Sequence, residues 1–196
     1  IHMSTFLNKN DLKIFKEFEN KGYIIKDITN KSVLKEIENI FIKFARKELK
    51  IKKKIKSQNL LNNIQKYLPI NKLNSFRVKL INHINRSKNV RKFYYLVAKP
   101  YLDCLVGNEL AMQKRIHLSI QIPNDSSSLL PVHSDVWSGD SPFEIVAWLP
   151  LVNCYKTKAM YILPPKKYKV FEKKFSKIAK KDRKFVFKKI KKDIKW

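Results

Sequence analysis

The hydrophobic period of this chain changes near Gly107, and that change limits the folds open to it. Before Gly107, apolar residues such as Leu34, Ile37, Phe41 and Phe44 recur three and four apart, the spacing that lines one face of a helix. Beyond it, Ile116-His117-Leu118-Ser119-Ile120-Gln121-Ile122 alternates strictly. Ile116, Leu118, Ile120 and Ile122 therefore share one face of an extended backbone, and His117, Ser119 and Gln121 share the other. Helices followed by several short strands predict an α+β protein with a sandwich or barrel core.

Local signals fill in this outline. Asn10 is expected to cap a helix over 11–21, with Leu12, Phe15 and Phe18 on its apolar face and Gly22 ending it. A β-like run over 23–28 precedes a second helix starting near Asn30 or Ser32. The lysine-dense stretch 47–56, with Ile51 and Ile55 interleaved, reads as a solvated helix end. Further helices are expected over 75–85, through Phe76, Leu80, Ile81 and Ile84, and over 90–106, interrupted or kinked at Pro100. Strands are expected over 143–152 and 159–163, the second stopped by Pro164-Pro165. From 168 to 196 the pattern is helical again, with Val170, Phe171, Phe175 and Ile178, then Phe185, Val186, Ile190 and Ile194, set among lysines. Such a basic amphipathic stretch most often covers a core.

A length of 196 residues suits one domain, read in three parts: 3–106 helical, 107–165 β-rich, and 166–196 a basic helical insertion or tail. The net charge of +27 would draw anionic surfaces at low salt. The charge is mostly lysine, however, and it accompanies abundant Asn and Ile and only three Gly, the signature of A/T-skewed codons. Arginine, the better reader of phosphates and bases, is scattered at Arg46, Arg77, Arg86, Arg91, Arg115 and Arg183. No specific nucleic-acid partner is therefore expected. Cys104 and Cys154 form no metal or redox motif and read as buried thiols in a reducing compartment. No stretch reaches the length of a membrane span, and no apolar secretion signal opens the chain, so a cytoplasmic address is expected. Ile1-His2 ahead of Met3 reads as a cloning remnant, which removes His2 from any site.

Chemistry concentrates in the segment from Leu130 to Glu144. In extended backbone, residues two apart project to one side, so the His133 imidazole and the Asp135 carboxylate can converge on one ion. Imidazole and carboxylate, completed by a second His, form the facial donor set that leaves positions open on Fe(II). A bare His-x-Asp is usually a surface pair. Here it follows an alternating run, precedes a long apolar one, and sits beside Trp137 and Ser141-Pro142-Phe143, which can wall a cleft.

His133-Ser134-Asp135-Val136-Trp137-Ser138-Gly139-Asp140-Ser141-Pro142-Phe143-Glu144, with Trp148-Leu149-Pro150-Leu151 and Met160-Tyr161-Ile162-Leu163-Pro164, resembles the 2-oxoglutarate- and Fe(II)-dependent oxygenases of sporadic bacterial carbohydrate clusters. These belong to the phytanoyl-CoA dioxygenase-like superfamily, and the likeness covers roughly 107–165. It implies a double-stranded β-helix, the jelly-roll or cupin-like core, packed beneath the helical shell. It also implies iron on His133 and Asp135 plus a distal His, with 2-oxoglutarate on the iron anchored by a basic side chain. Lys158 and Arg115 are candidates for that anchor, and Tyr161 and Gln121 for contacts with the oxo acid. Trp137, Trp148 and Ser141 would line the substrate pocket. The distal His and its Arg would follow a helical insertion like 168–196, so the β-helix is expected to be incomplete here. A truncated chain is the favoured explanation over completion by another chain. His117 precedes the motif and is the weaker substitute, while His83, on a helix, reads as structural.

The implied activity is hydroxylation of a carbohydrate or sugar nucleotide in surface-polysaccharide synthesis, with dioxygen as co-substrate. An open sheet edge would favour self-association. Two rival expectations are an incomplete oxygenase-like domain serving as an interaction module, and a basic module for nucleic acid or membrane surfaces.

Overall fold

The computed structural model describes residues 7–53, 55–107, 109–125, 130, 133–170 and 173. Helix α1 runs Lys9–Lys21. The Asn8 side chain accepts hydrogen bonds from the backbone N–H groups of Asn10, at 2.8 Å, and Asp11, at 3.0 Å. The Asp11 carboxylate accepts in return from the Asn8 N–H at 3.2 Å. This reciprocal box needs an acid at the third helical position, so the cap is Asn8 and not the expected Asn10. Gly22 ends the helix at φ +75°, its N–H donating to the Phe18 carbonyl at 2.7 Å. A Cβ at Gly22 would also lie 3.2 Å from Pro165 Cγ, so glycine permits both the left-handed turn and the close approach of residue 165.

Helix α2, Lys31–Glu48, starts where the Asn30 side chain accepts from the Val33 N–H, one of the two starts expected. It buries Ile37, Phe41, Ile42 and Ala45. Beyond it the lysine-dense stretch does not extend the helix. Lys50 turns left-handed at φ 53°, and the Arg46 guanidinium donates to the carbonyls of Lys53, at 3.0 Å, and Ile55, at 2.5 Å. The following chain is thereby folded back along α2. Helix α3, Ser57–Asn62, buries Leu60 and Leu61 against Ile42. Helix α4, Ile70–Arg86, begins directly after Pro69 and buries Leu73, Phe76, Leu80 and Ile84. Helix α5, Val90–Val106, retains Pro100 inside it and buries Val90, Val97 and Cys104.

Helix α2 packs on α3, α4 and α5, and α5 also receives α1 and α4. The core joins Ile37, Phe41 and Ala45 of α2 to Leu73, Phe76, Leu80 and Ile84 of α4 and to Val90 and Val97 of α5. Leu68, between α3 and α4, and Ile116 and Ile122, beyond α5, complete it, with Leu118, Ile120, Leu149 and Leu151 packed at its edge.

The expected jelly-roll core is corrected by this arrangement. The described residues are helical, with neither a strand nor a sheet among them, so the α+β double-stranded β-helix does not describe this fold. The runs over 23–28, 143–152 and 159–163, all read as β, are unpaired, and so is 116–122. The alternation over 116–122 is nonetheless present. Ile116 and Ile122 are buried, Leu118 and Ile120 half-buried, and His117, Ser119 and Gln121 exposed.

The physical reason lies in where the backbone hydrogen bonds go. A buried N–H or C=O must find a partner, but the partner need not be another strand. The Asn85 side chain of α4 takes the Ile116 N–H on Oδ1 at 2.8 Å and donates to the Ile116 carbonyl from Nδ2 at 3.0 Å. Arg77 donates to the Ile120 carbonyl from Nε at 3.0 Å, and Arg91 of α5 donates to the carbonyls of Met112 and Gln113. The Arg77 guanidinium also pairs with Asp125 at 3.0 Å. On the later segment, Tyr94 Oη donates to the Ala147 carbonyl and the Asn153 N–H donates to Asn62 Oδ1. Helix side chains thus stand in for a neighbouring strand.

The expected amphipathic stretch 168–196 lies outside the described residues from 171 on, apart from Lys173. Residues 165–170 are helical.

Candidate functional site

Ser134, at φ −121° and ψ 136°, keeps the backbone extended between His133 and the 3-10 turn Asp135–Ser138. The turn closes at Gly139, φ +98°, a left-handed position where a Cβ would be strained. The Gly139 N–H donates to the Val136 carbonyl at 3.3 Å, and the Asp140 N–H to the Asp135 carbonyl at 3.4 Å. Immediately after it, Ser141 Oγ accepts from the Phe143 N–H at 3.2 Å, and the Glu144 N–H donates to the Ser141 carbonyl at 3.1 Å. Ser141 is thus engaged in its own turn.

An extended residue followed by a tight turn brings the two side chains together, with His133 Nε2 3.4 Å from Asp135 Oδ1. Both remain open to solvent, at 43% and 48% of their side-chain area. First-row metals bind imidazole nitrogen and carboxylate oxygen at about 2.1 Å. Two donors 3.4 Å apart can both reach one point at that distance, subtending about 108° there, which suits neighbouring corners of a coordination sphere. The donor chemistry and spacing therefore fit two ligands of one ion. Among the described residues no group of three His, Cys, Asp or Glu side chains converges. The third corner is not supplied there.

The remaining expected site residues are dispersed over several surfaces. Arg115 is exposed and donates to Asn82 Oδ1 on α4 at 3.3 Å. Lys158 sits in a 3-10 turn, Lys156–Lys158, with its ammonium 5.1 Å above the Tyr155 ring. Tyr161 is 80% exposed, well away from a core environment, and Gln121 and His117 lie on the outward face of their segment. Trp148 is half-exposed. The side chain of Trp137 lies outside the described residues. His83 packs its ring on Phe44, centroids 4.9 Å apart. A cleft of about 310 Å³ lined by Phe44, Glu48, Lys79, Asn82, His83 and Arg86 lies between α2 and α4 and includes neither His133 nor Asp135.

Both cysteines are free, Cys104 buried and Cys154 half-buried, and burial pushes both thiols above their ordinary range. Burial also raises the Tyr94 hydroxyl, opposed by a hydrogen bond from the Leu149 backbone. What the sequence reading missed is the set of side chains that hold the site-bearing segments: Arg77, Asn85, Arg91 and Tyr94. Their signal was available, since Arg77 and Asn85 are polar residues on a helix whose other turns bury Phe76, Leu80 and Ile84.

No protein-family model, curated protein or solved structure matches this chain. Among the described residues no helix is long and apolar enough to cross a membrane.

Proposed function

We propose that the chain carries two ligands of an iron site serving a 2-oxoglutarate-dependent oxygenase, acting on a C–H bond of a carbohydrate or sugar nucleotide. The observation that supports this reading is the 3.4 Å convergence of His133 Nε2 and Asp135 Oδ1 on an exposed turn. In this reading His133 supplies a neutral imidazole nitrogen and Asp135 a hard carboxylate oxygen, the donor pair that leaves Fe(II) open to further ligands. When bound, iron with the oxo acid supplies the oxidising chemistry that no side chain can perform. The chain's own part is to fix the two donors, through extended Ser134 and the Gly139 closure, and to present them at one surface. The reading makes no use of a β-helix.

Its rival as a phosphate-binding module loses ground through the arginines. Arg46, Arg77 and Arg91 all spend their guanidinium groups on backbone carbonyls.

Anaerobic titration calorimetry with Fe(II), or with Mn(II) in its place, and 2-oxoglutarate tests the proposal. The chain should give saturable heat that His133→Ala and Asp135→Ala each weaken more than about tenfold, since even residues behind the ligands commonly change affinity tenfold or more. Equal heats in the variants, or no saturable heat from the unaltered chain, would remove the proposal.

A further inference from the structure

Helix α4 carries a second row of side chains that the core does not use. Lys79, Asn82, His83 and Arg86 recur at helical intervals and share one side of α4, apart from the buried row Leu73, Phe76, Leu80 and Ile84. With Phe44 and Glu48 of α2 they line the cleft of about 310 Å³, near the lower end of the volumes that hold small ligands.

Lysine is abundant throughout this chain, so its presence in a cleft decides little. Arginine is more telling. Five arginines lie among the described residues. Arg46, Arg77 and Arg91 donate to backbone carbonyls, and Arg115 donates to Asn82 Oδ1 at 3.3 Å. Arg86 alone of the five makes neither a hydrogen bond nor an ion pair with a described residue. A cation in the last turn of α4 complements the helix dipole, but lysine would serve that end as well, and the planar fork is what an oxyanion requires.

The neighbours of Arg86 add to this chemistry. Because Arg115 holds Asn82 Oδ1, the Asn82 Nδ2 group is left to donate. Long helical side chains slope toward the preceding turn, which carries the Arg86 fork toward Asn82. Glu48, the one acid lining the cleft, is already paired with Lys79 across the gap between α2 and α4. That pair cancels, so Arg86 and Arg115 leave two positive charges beside the Asn82 amide. The cleft also holds a flat apolar surface. The His83 ring lies on Phe44, centroids 4.9 Å apart, and Phe44 is fixed edge-on by Phe76 at 5.7 Å. His83 stays exposed, so the stack still offers ring surface to a ligand.

A carboxylate would be filled by the guanidinium fork alone. A phosphate monoester, with three oxygens and about two charges, uses the amide and the second guanidinium as well. A cleft this small takes one phosphate and its substituent, not the run of phosphates along a nucleic acid. We propose that this cleft binds a small phosphate monoester carrying a flat ring, the phosphate on Arg86 and Asn82 Nδ2 and the ring against His83. The site contains neither His133 nor Asp135, and its test needs no metal.

Titration calorimetry of the full chain in metal-free buffer tests this with phenyl phosphate, inorganic phosphate and benzoate. Salt at about 0.15 M screens diffuse attraction to the basic surface beyond about 8 Å. Phenyl phosphate should bind saturably, about threefold to tenfold more tightly than inorganic phosphate, the worth of one ring contact, and more tightly than benzoate. Arg86→Gln should weaken both phosphates about tenfold or more, the worth of a charged hydrogen bond. Lys92→Gln, which removes the same charge from an exposed position of α5, should leave both within about twofold. His83→Ala should abolish the preference for phenyl phosphate, and His83→Phe, which keeps a flat ring on Phe44, should restore it. His83 and Arg86 are exposed, so the far-ultraviolet circular dichroism of these variants should match the unaltered chain. Unsaturable heat from phenyl phosphate overturns the proposal. So does tighter binding of benzoate, an equal loss in Lys92→Gln and Arg86→Gln, or a ring preference that survives His83→Ala.

Discussion

Replacing Asn85 by Ala should be among the more costly polar substitutions in this protein. Asn85 is the sole side chain of α4 that bonds both backbone groups of one residue in the 116–122 segment, accepting from the Ile116 N–H at 2.8 Å and donating to its carbonyl at 3.0 Å. Its Nδ2 also reaches the Ile81 carbonyl at 2.9 Å. Ile116 is only 8% exposed, so water can replace these bonds poorly. Each buried backbone group left without a partner costs about 1–3 kcal/mol. With two groups in a partly buried setting, the lower half of that range applies to each, and Asn85→Ala should cost about 2–4 kcal/mol. Asn82→Ala, which removes only the exposed 3.3 Å bond to Arg115, should stay within about 0.5 kcal/mol. Urea denaturation gives both numbers, and the slope should be unchanged if only stability moves. Native-state hydrogen exchange adds a local readout, because the Ile116 amide should lose protection in Asn85→Ala. A loss below about 0.5 kcal/mol together with an unchanged Ile116 exchange rate would show that the amide clamp does not hold the segment.

Two other positions carry clear expectations. Gly22→Ala forces a Cβ into φ +75° and to 3.2 Å from Pro165 Cγ, so it should lower stability by about 1–2 kcal/mol in thermal denaturation; an unchanged melting temperature would mean that the α1 end relaxes freely. For Tyr94, burial raises the folded-state pKa above the unfolded value near 10, so the folded state holds its proton longer. Its contribution is therefore complete below about pH 10 and falls as pH rises from the unfolded toward the folded pKa. Tyr94→Phe should flatten that alkaline decline, and an identical decline in the variant would assign it to other groups.

Much of the helical half can be read from the sequence because burial there follows spacing. Ile37 and Phe41 in α2, and Phe76, Leu80 and Ile84 in α4, occupy the inward positions their three- and four-residue intervals demand. In α1 the same logic holds for Leu12 and Phe18, which are half-buried, but not for Phe15. Ile14 is the buried residue and Phe15 is 40% exposed, because a short helix with aromatic and aliphatic residues on adjoining sides can turn either toward α5. Helix α3 gave no periodic signal, being six residues long and rich in Asn and Gln.

The 116–122 alternation correctly told which side chains face inward and misled about everything beyond that. Period two reports that a backbone is extended with two unlike faces, but it carries no information about which groups satisfy its N–H and C=O. Here Asn85 and Arg77 do so, and a helical residue that will bond a distant backbone looks in sequence like any solvated polar position. His133 and Asp135 were legible as a pair because their convergence needs only Ser134 extended and a turn after it, which is local geometry. Contacts of Arg115 and Lys158 depend on tertiary packing, and local spacing does not encode that.

The clamp between α4 and the extended segment works like a ruler with two scales. Arg77 and Asn85 stand eight residues apart on the helix, about 12 Å at 1.5 Å per residue, and hold Ile120 and Ile116, four residues apart and about 13 Å along an extended chain. The two scales agree only with the chains running in opposite directions and only at this offset. Sliding the segment by one residue would move its contacts by about 3.3 Å and turn His117, Ser119 and Gln121 toward the core. Insertions or deletions between Arg77 and Asn85, or between Ile116 and Ile120, should therefore be far less tolerated than substitutions at the same places. The register of the segment that leads toward His133 and Asp135 is set by a helix some thirty to fifty residues upstream.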